Sequence, residues 1–190
     1  MRRLSTVATI GLTLTVLAGG CARPRKAATG VDPDTLDEAG FQAHLADVPV
    51  VTVDEACRAI LILADGRETT KNWSDRSQEL LRRGWIRREW NLKPGNIVDR
   101  GTVAYMVCKA CRIQGGVNRL ILGSWGLGDR RYAYRELVYR DLMSPGTEWQ
   151  YLTGGQMVAL LGKADQLMEK KGLYESEKFD LGERPDSKTP

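Results

Sequence analysis

Apolar positions recur at three- and four-residue spacing over most of the chain, the period of helices that bury one face. Ala56, Cys57, Ile60, Leu61 and Ala64 form one such stripe. Thr52 or Asp54 can cap its start, and Gly66 stops it. Ser74 or Asp75 is placed to cap a second helix that turns Leu80 and Leu81 inward and ends at Gly84. A third begins at Asp99, carries Val103, Met106, Val107, Ala110 and Ile113 in one stripe, and closes at Gly115-Gly116. Tyr134 to Met143 predicts a fourth helix. Gly154 to Lys171 predicts a fifth, with Met157, Leu160, Leu161, Ala164 and Met168 inward. Pro94-Gly95 and Pro145-Gly146 mark turns before the third and fifth. Leu120 to Trp125 is short and glycine-bounded, a strand or another extended packing segment. The expected fold class is all-α: a small helix-loop-helix repeat domain over residues 48–173, with one short extended segment and flexible termini.

The amino terminus departs from this pattern. Met1-Arg2-Arg3 is positive, no acidic residue occurs before Asp32, and the fourteen residues from Leu4 to Leu17 are uncharged and mostly apolar or small. A permanent membrane-spanning helix needs about 20 apolar residues, so this stretch suits the apolar region of a secretory signal peptide instead. Leu17-Ala18-Gly19-Gly20-Cys21 follows at once. Small residues before a cysteine resemble the lipobox of bacterial lipoproteins, with Ala18 in the slot where that family prefers Leu. The resemblance implies removal of residues 1–20, fatty acylation of Cys21 and a protein bound to the membrane of the cell envelope. Ala22, rather than Asp, after the lipidated cysteine implies the outer membrane where a cell has two. Ordinary cleavage that leaves Cys21 a thiol is the alternative.

Loss of Arg2 and Arg3 with the signal leaves 26 basic against 24 acidic side chains, a net charge of +2. That is no footprint for nucleic acid. Residues 21–47 then read as a lipidated tether with a short helix between Thr35 and Ala46 carrying Phe41 and Leu45. Residues 174–190 are polar and proline-containing, the composition of a disordered tail.

A weak repeat underlies the helices. Val53-Asp54-Glu55-Ala56, Val98-Asp99-Arg100-Gly101 and Leu152-Thr153-Gly154-Gly155 each set an apolar residue and a capping Asp or Thr ahead of a helix, at offsets of 45 and 54 residues. The middle unit is the most specific: Leu80-Leu81-Arg82-Arg83-Gly84-Trp85-Ile86, then Trp90-Asn91-Leu92-Lys93-Pro94, then Val98-Asp99-Arg100-Gly101. It resembles the S-layer homology domain over roughly residues 52–112, with an echo through 133–168. That family joins a helix ending in Gly-Ile to a loop with an aromatic and a proline, then a Thr-Arg-Ala-Glu-like helix start. The resemblance implies a helical domain that binds an acidic wall polysaccharide, with Arg100 at the position of the motif's Arg. Glu55 and Gly154 stand there in the other two copies, and Thr102 replaces the motif's Glu.

Other candidate chemistry is sparse. Cys108-Lys109-Ala110-Cys111 supplies only two zinc ligands where a closed site needs four, and Arg112 stands where haem attachment wants His. The pair falls late in its helix, away from the amino-terminal amides that activate a thioredoxin-like thiol. Small buried cysteines, or a disulfide from Cys57 to Cys108 or Cys111, are the structural readings. His44 is the only histidine and reads as an exposed polar residue. Gly123-Ser124-Trp125-Gly126-Leu127-Gly128 lacks the ending of a phosphate loop and reads as a turn. Arg82, Arg83, Arg87 and Arg88 surround Trp85 and Trp90, a pattern that fits either a surface gripping an anionic polymer or a tryptophan-filled core with solvated arginines. The expected function is therefore non-enzymatic and needs no cofactor or metal: a lipid-anchored envelope protein that binds a wall polymer or another envelope protein. Arg100 is the leading contact, with Arg82, Arg83, Trp85 and Trp90 beside it. The alternative is an envelope hydrolase using acidic residues that the sequence does not single out.

Overall fold

The structure is a computed structural model and describes residues 32–114 and 127–174. Cys21, the signal segment, most of the tether before α1, the Leu120–Trp125 segment, the glycine run up to Gly126 and the tail from residue 175 lie outside the described residues. The rest is mainly helical: α1 (Glu38–Asp47), α2 (Val53–Asp65), α3 (Trp73–Arg82), α4 (Arg100–Ala110), α5 (Leu127–Tyr139) and α6 (Gly154–Lys170), with 3-10 turns at Pro33–Thr35 and Arg88–Trp90.

The helix starts follow from side chains that satisfy the first free amides. Thr52 accepts from the Glu55 amide while the Glu55 carboxylate accepts from the Thr52 amide; Thr153 and Gln156 do the same for α6. Asp99 accepts from the Thr102 amide at 2.7 Å. The cap of α3 is Asn72, which accepts from the Asp75 amide at 3.0 Å, and not Ser74 or Asp75. Helix α5 begins and ends earlier than the expected Tyr134–Met143. Past its end Asp141 turns left-handed (φ 58°), and the amides of Leu142 and Met143 both donate to the Leu137 carbonyl. The two apolar residues thus fold back under the helix end, where their spacing imitates one more helical turn. Helix α3 ends alike: Gly84 is left-handed (φ 68°), and the amides of Trp85 and Ile86 donate to the Leu80 carbonyl.

Among the described residues these recurrences define three helix-loop-helix units, α1 with α2, α3 with α4 and α5 with α6. Their caps are Thr52, Asp99 and Thr153, 47 and 54 residues apart. The first unit therefore registers two residues earlier than the sequence repeat placed it. Both Thr52 and Asp54 can cap, but Asp54 is drawn away into an ion pair with Arg76. The residue after the cap is then Val53, Arg100 or Gly154, and not Glu55 in the first copy.

Each unit closes on the next. The Val53 amide donates to the Asn96 carbonyl at 2.8 Å and the Arg100 amide to Gln150 at 2.8 Å, while Gly154 donates to Val48 at 2.9 Å and completes the ring. Val51, Val98 and Leu152, each just before a cap, meet at the buried centre. Helix packing repeats the ring, α2 on α3, α4 on α5 and α6 on α1. Helix α1 is thus part of the core, with Phe41 and Leu45 fully buried, although it precedes the expected domain start at residue 48. Two apolar residues gave it too faint a periodicity to stand apart from a tether.

Candidate functional site

Arg100 begins α4 and is only 8 % exposed. Its backbone amide is held by Gln150 and that of Gly101 by the Glu148 carbonyl at 2.8 Å, so the loop before α6 fixes where the side chain emerges. The guanidinium then reaches across to the Ser144 carbonyl at 3.4 Å and to Gln156 Oε1 at 3.5 Å. Both contacts are long, both acceptors are neutral, and a guanidinium carries five donors. No carboxylate of the described residues lies within ion-pair distance of it. Gly146 lets the loop pass close by, since a Cβ there would stand 2.8 Å from Nη1.

The guanidinium opens into a cavity of about 230 Å³ between the start of α4, residues 142–144 and α6. Lys163 is its second cation, with Nζ donating to the Asp141 carbonyl at 2.6 Å. Leu142, Met143, Leu152 and Leu160 form an apolar wall. No carboxylate lines it. Taking a cation out of water without an anion costs roughly several kcal/mol, and an entering carboxylate or phosphate offsets that cost through the flat guanidinium fork. Lys163, Gln156 and Ala159 were not singled out from the sequence. Their spacing of three and four residues on one face of α6 was the available signal.

Arg82, Arg83 and Arg87 are spoken for. Arg83 clasps both Asp65 oxygens at 2.7 and 2.9 Å and also reaches Glu79; Arg82 clasps Glu79 at 2.6 and 2.8 Å. Hydrogen bonds from Arg82 and then Arg83 hold the Glu79 carboxyl down to about 2. Arg87 pairs with Asp129. Arg82 and Arg83 line a broader groove with Asp65, Asp75, Glu79 and Glu89, separate from the Arg100 cavity. Trp85 lies beneath the Arg83 guanidinium at 5.0 Å. Trp90 is half-buried, edge-on to Tyr105 with centroids 5.0 Å apart. The expected assembly of Arg82, Arg83, Trp85 and Trp90 around Arg100 is therefore not what forms: the tryptophans pack, and the two arginines are neutralised on another face.

Cys57, Cys108 and Cys111 are buried thiols and are not joined in a disulfide. Cys108 lies on α4, with its sulfur 3.8 Å from the Ala133 carbonyl, and Cys111 caps that helix 3.9 Å from the Ala164 carbonyl. Burial pushes the Cys57 thiol well up and the Cys111 thiol to about 11, the opposite of what a reactive cysteine requires. Among the described residues no group of three His, Cys, Asp or Glu is set to hold a metal ion. His44 is half-buried rather than exposed, its Nε2 3.0 Å from Glu55 Oε1, and ties α1 to α2. The buried carboxylates serve the fold: Glu55 closes a cap and Asp129 meets Arg87.

No protein-family model, curated protein or solved structure matches the chain. No helix of the described residues is long and apolar enough to cross a membrane.

Proposed function

We propose that this protein is a lipid-anchored cell-envelope protein, attached through Cys21, whose helical domain binds an anionic envelope polymer without catalysis. The observation that carries the binding role is Arg100, buried to 8 % exposure at a cavity mouth with two long contacts to neutral oxygens and no carboxylate among the described residues. Other buried cations here are paired, as Arg76 is with Asp54 and Asp34. A cation left open beside Lys163 fits an external carboxylate or phosphate. The S-layer-like motif of the middle unit points to the same residue. The signal-like segment and Leu17-Ala18-Gly19-Gly20-Cys21 support attachment to the envelope membrane, the outer one where there are two.

The test is sedimentation of the mature protein, residues 21–190, with isolated envelope polysaccharide. Wild type binds and Arg100→Ala loses at least about tenfold in affinity, or about 1.4 kcal/mol. Arg100→Lys binds more weakly than wild type, because it keeps the charge but loses the fork. Added salt weakens the wild-type complex. Equal binding by all three proteins, or none by wild type, refutes polymer binding and leaves an envelope protein as the better partner.

A further inference from the structure

Resting on that reading, we infer that Ala159 is the residue that makes the site, and that the cavity it opens takes one anionic sugar unit of the polymer. The three units differ at one equivalent position of their second helices. Six residues past the caps Thr52, Asp99 and Thr153 stand Arg58, Tyr105 and Ala159. Two of these are buried and packed within their own units. Arg58 is 2 % exposed, donates to the Leu36 carbonyl and lies 4.2 Å above the Phe41 ring. Tyr105 is 4 % exposed against Trp90, with Arg87 5.7 Å and Lys109 5.4 Å from its ring centroid. Ala159 fills nothing; it is exposed and lines the cavity.

The charged positions follow the same register. Ten residues past the caps, Lys109 and Lys163 are equivalent. Lys109 rests on the Tyr105 ring, whereas Lys163 meets no ring among the described residues and turns to the Asp141 carbonyl. One residue past the caps, only the middle unit has a cation, Arg100, where the others have Val53 and Gly154. Arg100 projects into a cavity of the third unit, the one in which this position holds no buried side chain. Cation and vacancy coincide.

The vacancy limits the occupant. At about 230 Å³ it is smaller than the roughly 300–1,000 Å³ of sites for drug-sized ligands, so it admits one small unit and not a run of them. Arg100 and Lys163 ask for an anion, while Leu142, Met143, Leu152 and Leu160 ask for an apolar surface. A pyranose carrying a carboxylate or a phosphate offers both, its C–H face against the leucines and its anion in the guanidinium fork. The polymer is then held through single residues.

The experiment is a titration of isotopically labelled mature protein followed by NMR, with glucuronate and glucose 1-phosphate as the two anionic probes and glucose as the neutral one. In wild type, the Arg100 Nε–H and the amides of Ser144 and Gln156 shift and saturate with at least one anionic sugar, the tighter one identifying the anion, and stay in place with glucose. Ala159→Tyr, which copies the sister junction at an exposed helical position, weakens that binding at least about tenfold. Ala159→Leu, a smaller plug, provides a second folded variant and weakens it as well. Wild-type shifts that persist in folded Ala159→Tyr and Ala159→Leu overturn the inference, as do anionic sugars that leave wild type unshifted. Envelope polysaccharide retained by Ala159→Tyr but lost by Arg100→Ala sinks the role of Ala159 alone. Polysaccharide that wild type does not bind sinks the polymer-binding function itself.

Discussion

Gly154, the first residue of α6, donates its amide to the Val48 carbonyl at 2.9 Å and so joins the last unit of the chain to the first. The contact leaves no room for a side chain, because a Cβ on Gly154 would stand 1.8 Å from the Leu45 carbonyl oxygen. Backbone cannot swing aside as a flexible side chain can. Gly154→Ala is expected to destabilise the domain by about 1–3 kcal/mol or more through overpacking. Gly162→Ala on the same helix meets open space and should stabilise by up to about 1 kcal/mol, the helix preference of alanine over glycine. Urea unfolding of both variants checks the pair of signs.

Arg76 is fully buried on α3 and grips Asp54 of α2 at 2.7 and 2.8 Å, with Asp34 as a further partner. Arg76→Met leaves Asp54 half-buried without its cation and should cost about 3–5 kcal/mol near neutral pH. Burial already raises the Asp54 pKa in the wild type, with Arg76 opposing it. Removing Arg76 raises the folded-state pKa further above the unfolded value near about 3.9. A raised folded pKa means stability present at low pH and lost as pH rises through it. The penalty of Arg76→Met should therefore shrink as the solution is acidified toward that range; unfolding curves at several pH values read it directly.

The three cysteines of the helical domain are expected to be inert while it is folded. Burial keeps Cys57 and Cys111 protonated, and Cys108 is 1 % exposed. Iodoacetamide near pH 8 should leave them unmodified in the native protein and label all three in denaturant, as read by mass spectrometry. Rapid native labelling of the Cys108-Cys111 pair would point to a reactive dithiol instead.

Much of this fold was legible because caps are local. Thr52, Asp99 and Thr153 sit directly before periodic runs, and each closes its helix as the side-chain chemistry demands. What was not legible depends on distant partners. Asp54 resembled a cap until Arg76, 22 residues later, claimed it. Leu142 and Met143 continued a helical spacing although they fold back beneath Leu137. For the site, Arg100 was visible through its motif, but its cavity was not. The vacancy arises from Ala159 facing Arg100 across a junction, and an alanine in an amphipathic helix carries no signal of its own. Arg82 and Arg83 looked available because the sequence does not reveal that Glu79 and Asp65 face them.

The proposed anchor has its own test. Several acyl chains hold a protein stably on a membrane where one holds it only marginally. Cys21→Ser is expected to abolish palmitate labelling and release the protein from membranes into the soluble envelope fraction. Undiminished labelling of that variant contradicts acylation at Cys21.

The most direct measurement compares arginines that are equally cationic but differently paired. Affinity for purified envelope polysaccharide is measured for wild type, Arg100→Ala, Arg82→Ala and Arg83→Ala at one salt concentration. Arg82 and Arg83 already hold carboxylates of this chain, whereas Arg100 holds none among the described residues. Arg100→Ala is expected to lose at least about tenfold while Arg82→Ala and Arg83→Ala stay within about twofold of wild type. Equal losses in all three variants would mean that diffuse positive charge does the binding, and would contradict a site built at Arg100.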